Sequence, residues 1–195
     1  MIVETGGLAS PIGTVLLAVH DGRVCALGFR EHWTRLERAL RRRFADVELR
    51  RRGDHDGIIG RLHSYFRGDL AALDSIPLDL GGTAFQQTVW TRLRAIPAGQ
   101  TISYRNLAAA IGAPGAVRAV GAANGANPVS IVVPCHRVIG ADGALTGYGG
   151  GIARKEWLLA HEGAQTSKSL LTSGRAWWGD GSTEVGPRRS KTSRR

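Results

Sequence analysis

The pattern of apolar residues shifts at Gly81-Gly82, from strands interspersed with two helices to a run of short helices. Before that point they favour strands. Thr14-Val15-Leu16-Leu17-Ala18-Val19 and Val24 to Phe29 flank Asp21-Gly22, a dipeptide suited to a two-residue hairpin turn. Ser10-Pro11-Ile12-Gly13 turns the chain ahead of them. Trp33, Leu36, Leu40 and Phe44 recur at helical spacing, and Ile58, Leu62, Tyr65 and Phe66 share one face of a shorter helix that Gly68 ends. Ile76 to Leu80 is a last extended segment.

After the hinge, short helices take over. Thr83 and Gln86 form a capping box ahead of Val89, Trp90 and Leu93. Ser103 caps a second helix carrying Leu107, Ala108 and Ile111, stopped at Gly112-Ala113-Pro114. A third runs from Ala116 to Asn124 and a last from Ile152 to Glu162, closed by Gly163. The second and third, joined by a tight Gly/Pro turn, read as a helix-turn-helix. The pattern predicts an α+β chain: a mixed α/β domain with a small antiparallel sheet over 1–82, then a mainly helical domain over 83–165.

A formal charge of +10 suggests a polyanionic partner, most simply nucleic acid. About half of it comes from the segment that starts at Thr166, with seven Lys/Arg against two acids, which reads as a disordered basic tail over 166–195. Arg50-Arg51-Arg52 tempts a nucleic-acid reading, but the acids Glu37, Asp46 and Glu48 around it equally suit a solvated face and loop. Two cysteines, with no Cys-x-x-Cys, fit a reducing compartment. No leader pattern and no apolar run near membrane-spanning length is visible, so a cytoplasmic location and no membrane partner are expected. Cys25, inside an apolar strand, reads as a buried core thiol.

Cys135 is different. Ile131-Val132-Val133 predicts a short buried strand that runs into Pro134 and then presents Cys135, His136 and Arg137 in succession. A thiol is only a few per cent ionised at neutral pH, so a nucleophilic cysteine needs a base or a positive field. In a regular strand His136 would point to the face opposite Cys135. Either Pro134 breaks the strand into a turn or a water carries the proton, and both are expected here. An acid must hold the imidazole; of sixteen carboxylates, Asp142 and Glu162 are candidates that follow the motif.

Pro134-Cys135-His136-Arg137-Val138 resembles the active-site motif of the O6-alkylguanine-DNA alkyltransferases, the methylated-DNA–protein-cysteine methyltransferases. Ser103-Tyr104, Arg118-Ala119-Val120-Gly121, Asn127-Pro128-Val129 and Lys155 to Gly163 fall in that family's order and spacing. The resemblance covers Thr83 to about Gly163 closely and residues 1–82 loosely. It implies a ribonuclease H-like N-terminal domain and an active-site strand in the second domain. It also implies one-step, single-use transfer of an alkyl group from O6-alkylguanine, with O4-alkylthymine left open, to Cys135 after the base is flipped from duplex DNA.

The same resemblance makes His136 a base acting through water and Glu162 the residue that orients it. Tyr104 becomes a donor to the guanine ring, Arg118 a wedge in the base stack, and Asn127 a structural tie. Ala119, Ala122, Asn124 and Arg137 would join Arg118 and Tyr104 in contacting DNA through the minor groove. Val138, Tyr148, Gly149 and Lys155 would line the base pocket. The expected protein is a monomer needing no cofactor, with cooperative assembly on DNA left open. Cys25 has His20 and His32 nearby but no second thiol, so no zinc is expected. Competing readings are a binding-only damage sensor, which would lack the nucleophile, and a Cys-His-Glu hydrolase, which leaves Arg118 and the charge unexplained. A transcription regulator would need a sensor domain for which there is no room.

Overall fold

The computed structural model describes residues 1–44, 46–53 and 57–164. The basic tail, with Trp177-Trp178, lies outside them. No helix among the described residues is long and apolar enough to cross a membrane.

The N-terminal half is built on β1 (Ile2–Ser10), β2 (Gly13–His20), β3 (Arg23–Phe29) and β4 (Glu48–Arg51), in spatial order β3-β2-β1-β4. The Asp21-Gly22 turn forms as expected, with φ of 47° and 70°, the two positive values that a type I′ hairpin needs. The sheet is mixed, which corrects the antiparallel expectation: β4 pairs parallel to β1. The arginine run is therefore an edge strand instead of a loop. Arg50 pairs with Glu48 at 3.1 Å and Arg52 with Glu4 at 2.7 Å, and charged side chains of this kind keep an edge from pairing with another chain.

Helix α1 (Trp33–Arg43) lays Leu36 and Leu40 on one sheet face, over Val3, Ala18, Cys25 and Ala26. Close approach depends on Gly28, where a Cβ would lie 2.7 Å from Leu36 Cδ1. The other face, with Val15, Leu17, Val24, Leu27 and Phe29, joins α2 (Ile58–Phe66) and the whole second half in one core that runs across the hinge.

That second half comprises α3 (Ala84–Arg94), β5 (Ile102–Ser103), α4 (Tyr104–Ala110), α5 (Val117–Gly125), β6 (Val138–Ile139) and α6 (Ile152–His161). Both predicted caps form. Gln86 N donates to Thr83 Oγ1 at 3.3 Å and Thr83 N to Gln86 Oε1 at 2.9 Å, while Asn106 N donates to Ser103 Oγ at 3.1 Å.

Candidate active site

The segment leading to Cys135 is held by the N-terminal sheet. Leu27 N on β3 donates to Pro128 O at 2.9 Å, and Ser130 N donates back to Leu27 O at 2.8 Å. The strand expected over Ile131-Val132-Val133 does not form: residues 131–132 are a turn, and Ile131 sits at φ 72°. That conformation is costly for a β-branched residue. It is over-determined by Asn127, whose Nδ2 donates to Val133 O at 2.8 Å and whose Oδ1 accepts from Val129 N at 3.0 Å. Both ends of this buried amide are used, so Asn127 ties the turn to the end of α5.

Cys135, His136 and Arg137 form a single turn of 3₁₀ helix, closed by Arg137 N on Pro134 O at 3.0 Å. The strand of this segment, β6, follows the motif and pairs with β5. Three residues per turn send the three side chains in three directions, about 120° apart. The thiol and imidazole are thus neither on opposite faces nor side by side.

His136 and Arg137 converge on Glu162, just past the end of α6. His136 Nε2 lies 2.9 Å from Glu162 Oε1, Arg137 Nη2 donates to the same oxygen at 2.8 Å, and Arg137 Nε donates to Oε2 at 2.8 Å. Tyr65 Oη donates to Oε1 at 2.7 Å. A carboxylate can only accept, so His136 carries its proton on Nε2 and its lone pair on Nδ1. Nδ1 is buried and has no hydrogen-bond partner among the described residues.

The charges follow from burial and partners. Burial alone would raise the Glu162 carboxyl, but the hydrogen bonds and charges of His136 and Arg137 together hold it well below the ordinary range. Burial lowers His136, against the opposing pull of Glu162, so the imidazole is neutral. Burial pushes the Cys135 thiol up, only partly countered by a hydrogen bond from Asn127 and the charge of Lys155. The resting state is a protonated thiol with a neutral imidazole one residue on.

Acid should unfold this site. A depressed carboxyl contributes stability that is complete above the unfolded value of about 4.3 and is lost as pH falls through the folded one. The melting temperature is expected to fall on acidification through and below that value, and Glu162→Gln should flatten the fall; thermal scans at stepped pH would read it. Identical acid profiles would remove Glu162 from this account.

Tyr104, half-buried at the start of α4, reaches the loop between β6 and α6. Its hydroxyl donates to Gly147 O at 3.3 Å, with Thr146 O at 3.4 Å, and accepts from Asn124 Nδ2 at 3.5 Å. Gly147 is required there: φ is 63° and a Cβ would sit 2.8 Å from that hydroxyl. Burial raises the phenol, so it stays a proton donor. Lys155 is fully buried, and its Nζ donates to Val138 O at 2.5 Å and Thr146 O at 2.6 Å, latching the loop to the site; burial pushes it down to about 8. Tyr148 packs inward, edge-on to Phe29 and His136. Gly149 is exposed on the loop and forms part of the wall of the Cys135 cavity.

Arg118, Ala119 and Ala122 share the exposed face of α5. Two expected DNA contacts are placed elsewhere. Asn124 is 2% exposed and faces inward, its Nδ2 also donating to Cys135 O at 3.4 Å, because it lies beside Val120 and Ala123 on the packed face. Arg137 is 9% exposed and spends its donors on Glu162 and Ile96 O. The charge it neutralises is inside the protein.

The periodicities do not single out Tyr65 or Arg154 for the site, nor Arg35 among the arginines of α1. Arg154 Nε donates to Ile12 O at 2.7 Å, its Nη1 to Gly150 O at 3.1 Å and its Nη2 to Glu31 at 2.9 Å, fastening the loop to the sheet. Arg35 Nη1 donates to Gly125 O at 3.4 Å, at the end of α5. With Phe29 and His32, Arg35 walls the Cys135 cavity, whose volume of about 20 Å³ is room for one water and no more. Only chain-distant packing brings these residues there.

A deep thiol, an imidazole anchored by a distant carboxylate and a glycine-rich loop converge in one buried site. Residues 84–164 match the family described as 6-O-methylguanine DNA methyltransferase, DNA binding domain. The methylated-DNA–protein-cysteine methyltransferase of Salmonella typhimurium is 48% identical over 164 residues, covering 80% of this chain and 93% of that protein. That of Mycobacterium tuberculosis is 47% identical over 169 residues, covering 83% and 93%. The crystal structure of the M. tuberculosis O6-methylguanine methyltransferase superposes with a TM-score of 0.70 at 43% identity, covering 87% of this chain and 99% of that one. The chain belongs to the methylated-DNA–protein-cysteine methyltransferase family.

Proposed function

We propose that this protein repairs O6-alkylguanine in double-stranded DNA by taking the alkyl group onto Cys135, once per molecule. The observation that carries the reading is the His136 ring: Nε2 is committed to Glu162, and Nδ1 is a buried acceptor, unpartnered among the described residues and one residue from a buried thiol. A water between Nδ1 and Sγ would move the thiol proton to the imidazole. The sulfur then attacks the alkyl carbon, a C–S bond forms as the C–O6 bond breaks, and the electron pair leaves on the base. Tyr104, kept as a neutral phenol, is suited to donate to a guanine ring nitrogen and make the base a better leaving group. The product is a thioether, a stable bond, so the cysteine is consumed.

A cavity of about 20 Å³ cannot take a purine. The base must be flipped out of the stack, and the Thr146–Gly150 loop must give way to it. The α4–α5 pair, read as a helix-turn-helix, offers Arg118, Ala119 and Ala122 to the DNA; the small residues suit the minor groove and the arginine suits the gap left in the stack. The net charge of +10 fits phosphate contacts that are indifferent to sequence. The solved complex of the M. tuberculosis OGT with DNA, 44% identical over 84% of this chain, supports DNA as partner. A monomer in the cytoplasm is the simplest context.

A duplex carrying one labelled O6-methylguanine should pass its label to the protein one-to-one and then stop. Repeated turnover would favour the hydrolase reading; binding without transfer would favour the sensor.

A further inference from the structure

We infer that Tyr65, from the N-terminal half, is a positioning residue of the acceptor site, its hydroxyl setting how strongly Glu162 pulls on the His136 Nε2 proton. The inference rests on the alkyl-acceptor reading above. Tyr65 is fully buried on α2, 97 residues from the carboxylate it meets. Four donors reach Glu162: Tyr65 Oη, His136 Nε2 and Arg137 Nη2 on Oε1, which has about two acceptor positions, and Arg137 Nε on Oε2. Three of these share Oε1, so each weakens the others' hold on it.

Packing alone does not require the hydroxyl. The Tyr65 ring lies edge-on to Phe66 and His161, with centroids 5.3 and 5.1 Å away, contacts that a phenylalanine would keep. The backbone is fixed separately, by His161 Nε2 on Tyr65 O at 2.8 Å. What the hydroxyl adds is a donor on the oxygen that anchors the base.

The groups facing His136 are few. Glu162 is negative; Arg137 and Lys155 are positive and oppose its protonation; the Tyr148 ring is edge-on to the imidazole with centroids 6.3 Å apart; Cys135 is a thiol. Around Tyr65 stand Glu162, Arg137, His161 and Phe66. Removing the hydroxyl leaves more of the Glu162 charge for the imidazole. His136 should then protonate more readily, and a protonated ring cannot act as base.

The test is the single-turnover rate of label transfer against pH, for wild type, Tyr65→Phe and a protein carrying 3,5-difluorotyrosine at position 65 alone. In Tyr65→Phe the acid limb should move up by about 0.5–1 pH unit, with the plateau rate within about threefold of wild type. The fluorinated phenol, a stronger donor, should move the limb down. It keeps the ring and hydroxyl, so it reads the effect even if Tyr65→Phe folds poorly. Unmoved limbs, or shifts in the same direction, would leave Tyr65 a packing residue and overturn the inference. A wild type that takes no label would instead remove the acceptor reading itself.

Discussion

Cys135→Ala is expected to fold, to bind alkylated duplex DNA and to take up no alkyl group at all. The side chain is small and its neighbours are held by backbone bonds and Asn127, so truncation should cost about 1 kcal/mol of stability and leave the turn intact. No second thiol can stand in. Cys25 is 2% exposed, lies under α1 on the far face of the sheet, and directs Sγ at Ala18 O at 3.4 Å. Burial, against a weaker pull from Arg43, pushes it up to about 11. Peptide masses after exposure to alkylated DNA would read the outcome. Label on the Cys25 peptide, or any residual transfer in the variant, would overturn the assignment of the acceptor.

Glu162→Gln should have the second-largest effect, on rate and stability together. The substitution preserves shape but removes the charge that Arg137 and His136 were folded around. Taking one partner from a buried ion pair costs about 3–5 kcal/mol, because the remaining charge stays desolvated. For a chain of this size that lowers the melting temperature by about 10 °C or more. The glutamine amide can also donate to His136, and the ring would then no longer be fixed with its lone pair on Nδ1. Transfer by the folded fraction is expected to slow by about 100-fold or more. Stopped reactions on folded protein, beside calorimetry, separate the two effects. A wild-type rate from folded Glu162→Gln would leave the carboxylate with a structural role alone.

Much of the secondary structure is written locally. Thr83 with Gln86, Ser103, Asp21-Gly22 and the spacing of Trp33, Leu36 and Leu40 act within a turn or two, so reading them needs no neighbours. The misreadings share one cause. Ile131 to Val133 have the composition of a strand, yet Asn127 and the pairing of Pro128 and Ser130 with β3 hold them in a turn. Glu48 to Arg51 look like solvated loop, yet they add to β1 because its edge is open. In each, tertiary hydrogen bonds overrode a local preference worth less than they are.

The same division holds at the site. Cys135 and His136 stand out as candidates from the motif itself, and Tyr104, Arg118 and Glu162 from the resemblance. Asn124 and Arg137 look like DNA contacts in the sequence because side-chain chemistry speaks of charge and polarity and not of direction; the helix phase and the Glu162 carboxylate turn both inward. By itself, the sequence determined the candidate thiol and imidazole and the order of the helices, since these depend on residue identity and short-range spacing. Only the tertiary structure decided that Glu162 binds Arg137 as well as His136, that Tyr65 shares it, and that Arg35 and His32 wall the cavity beside the thiol. Such contacts join residues tens of positions apart, and no local pattern encodes a distance that the folded core alone sets.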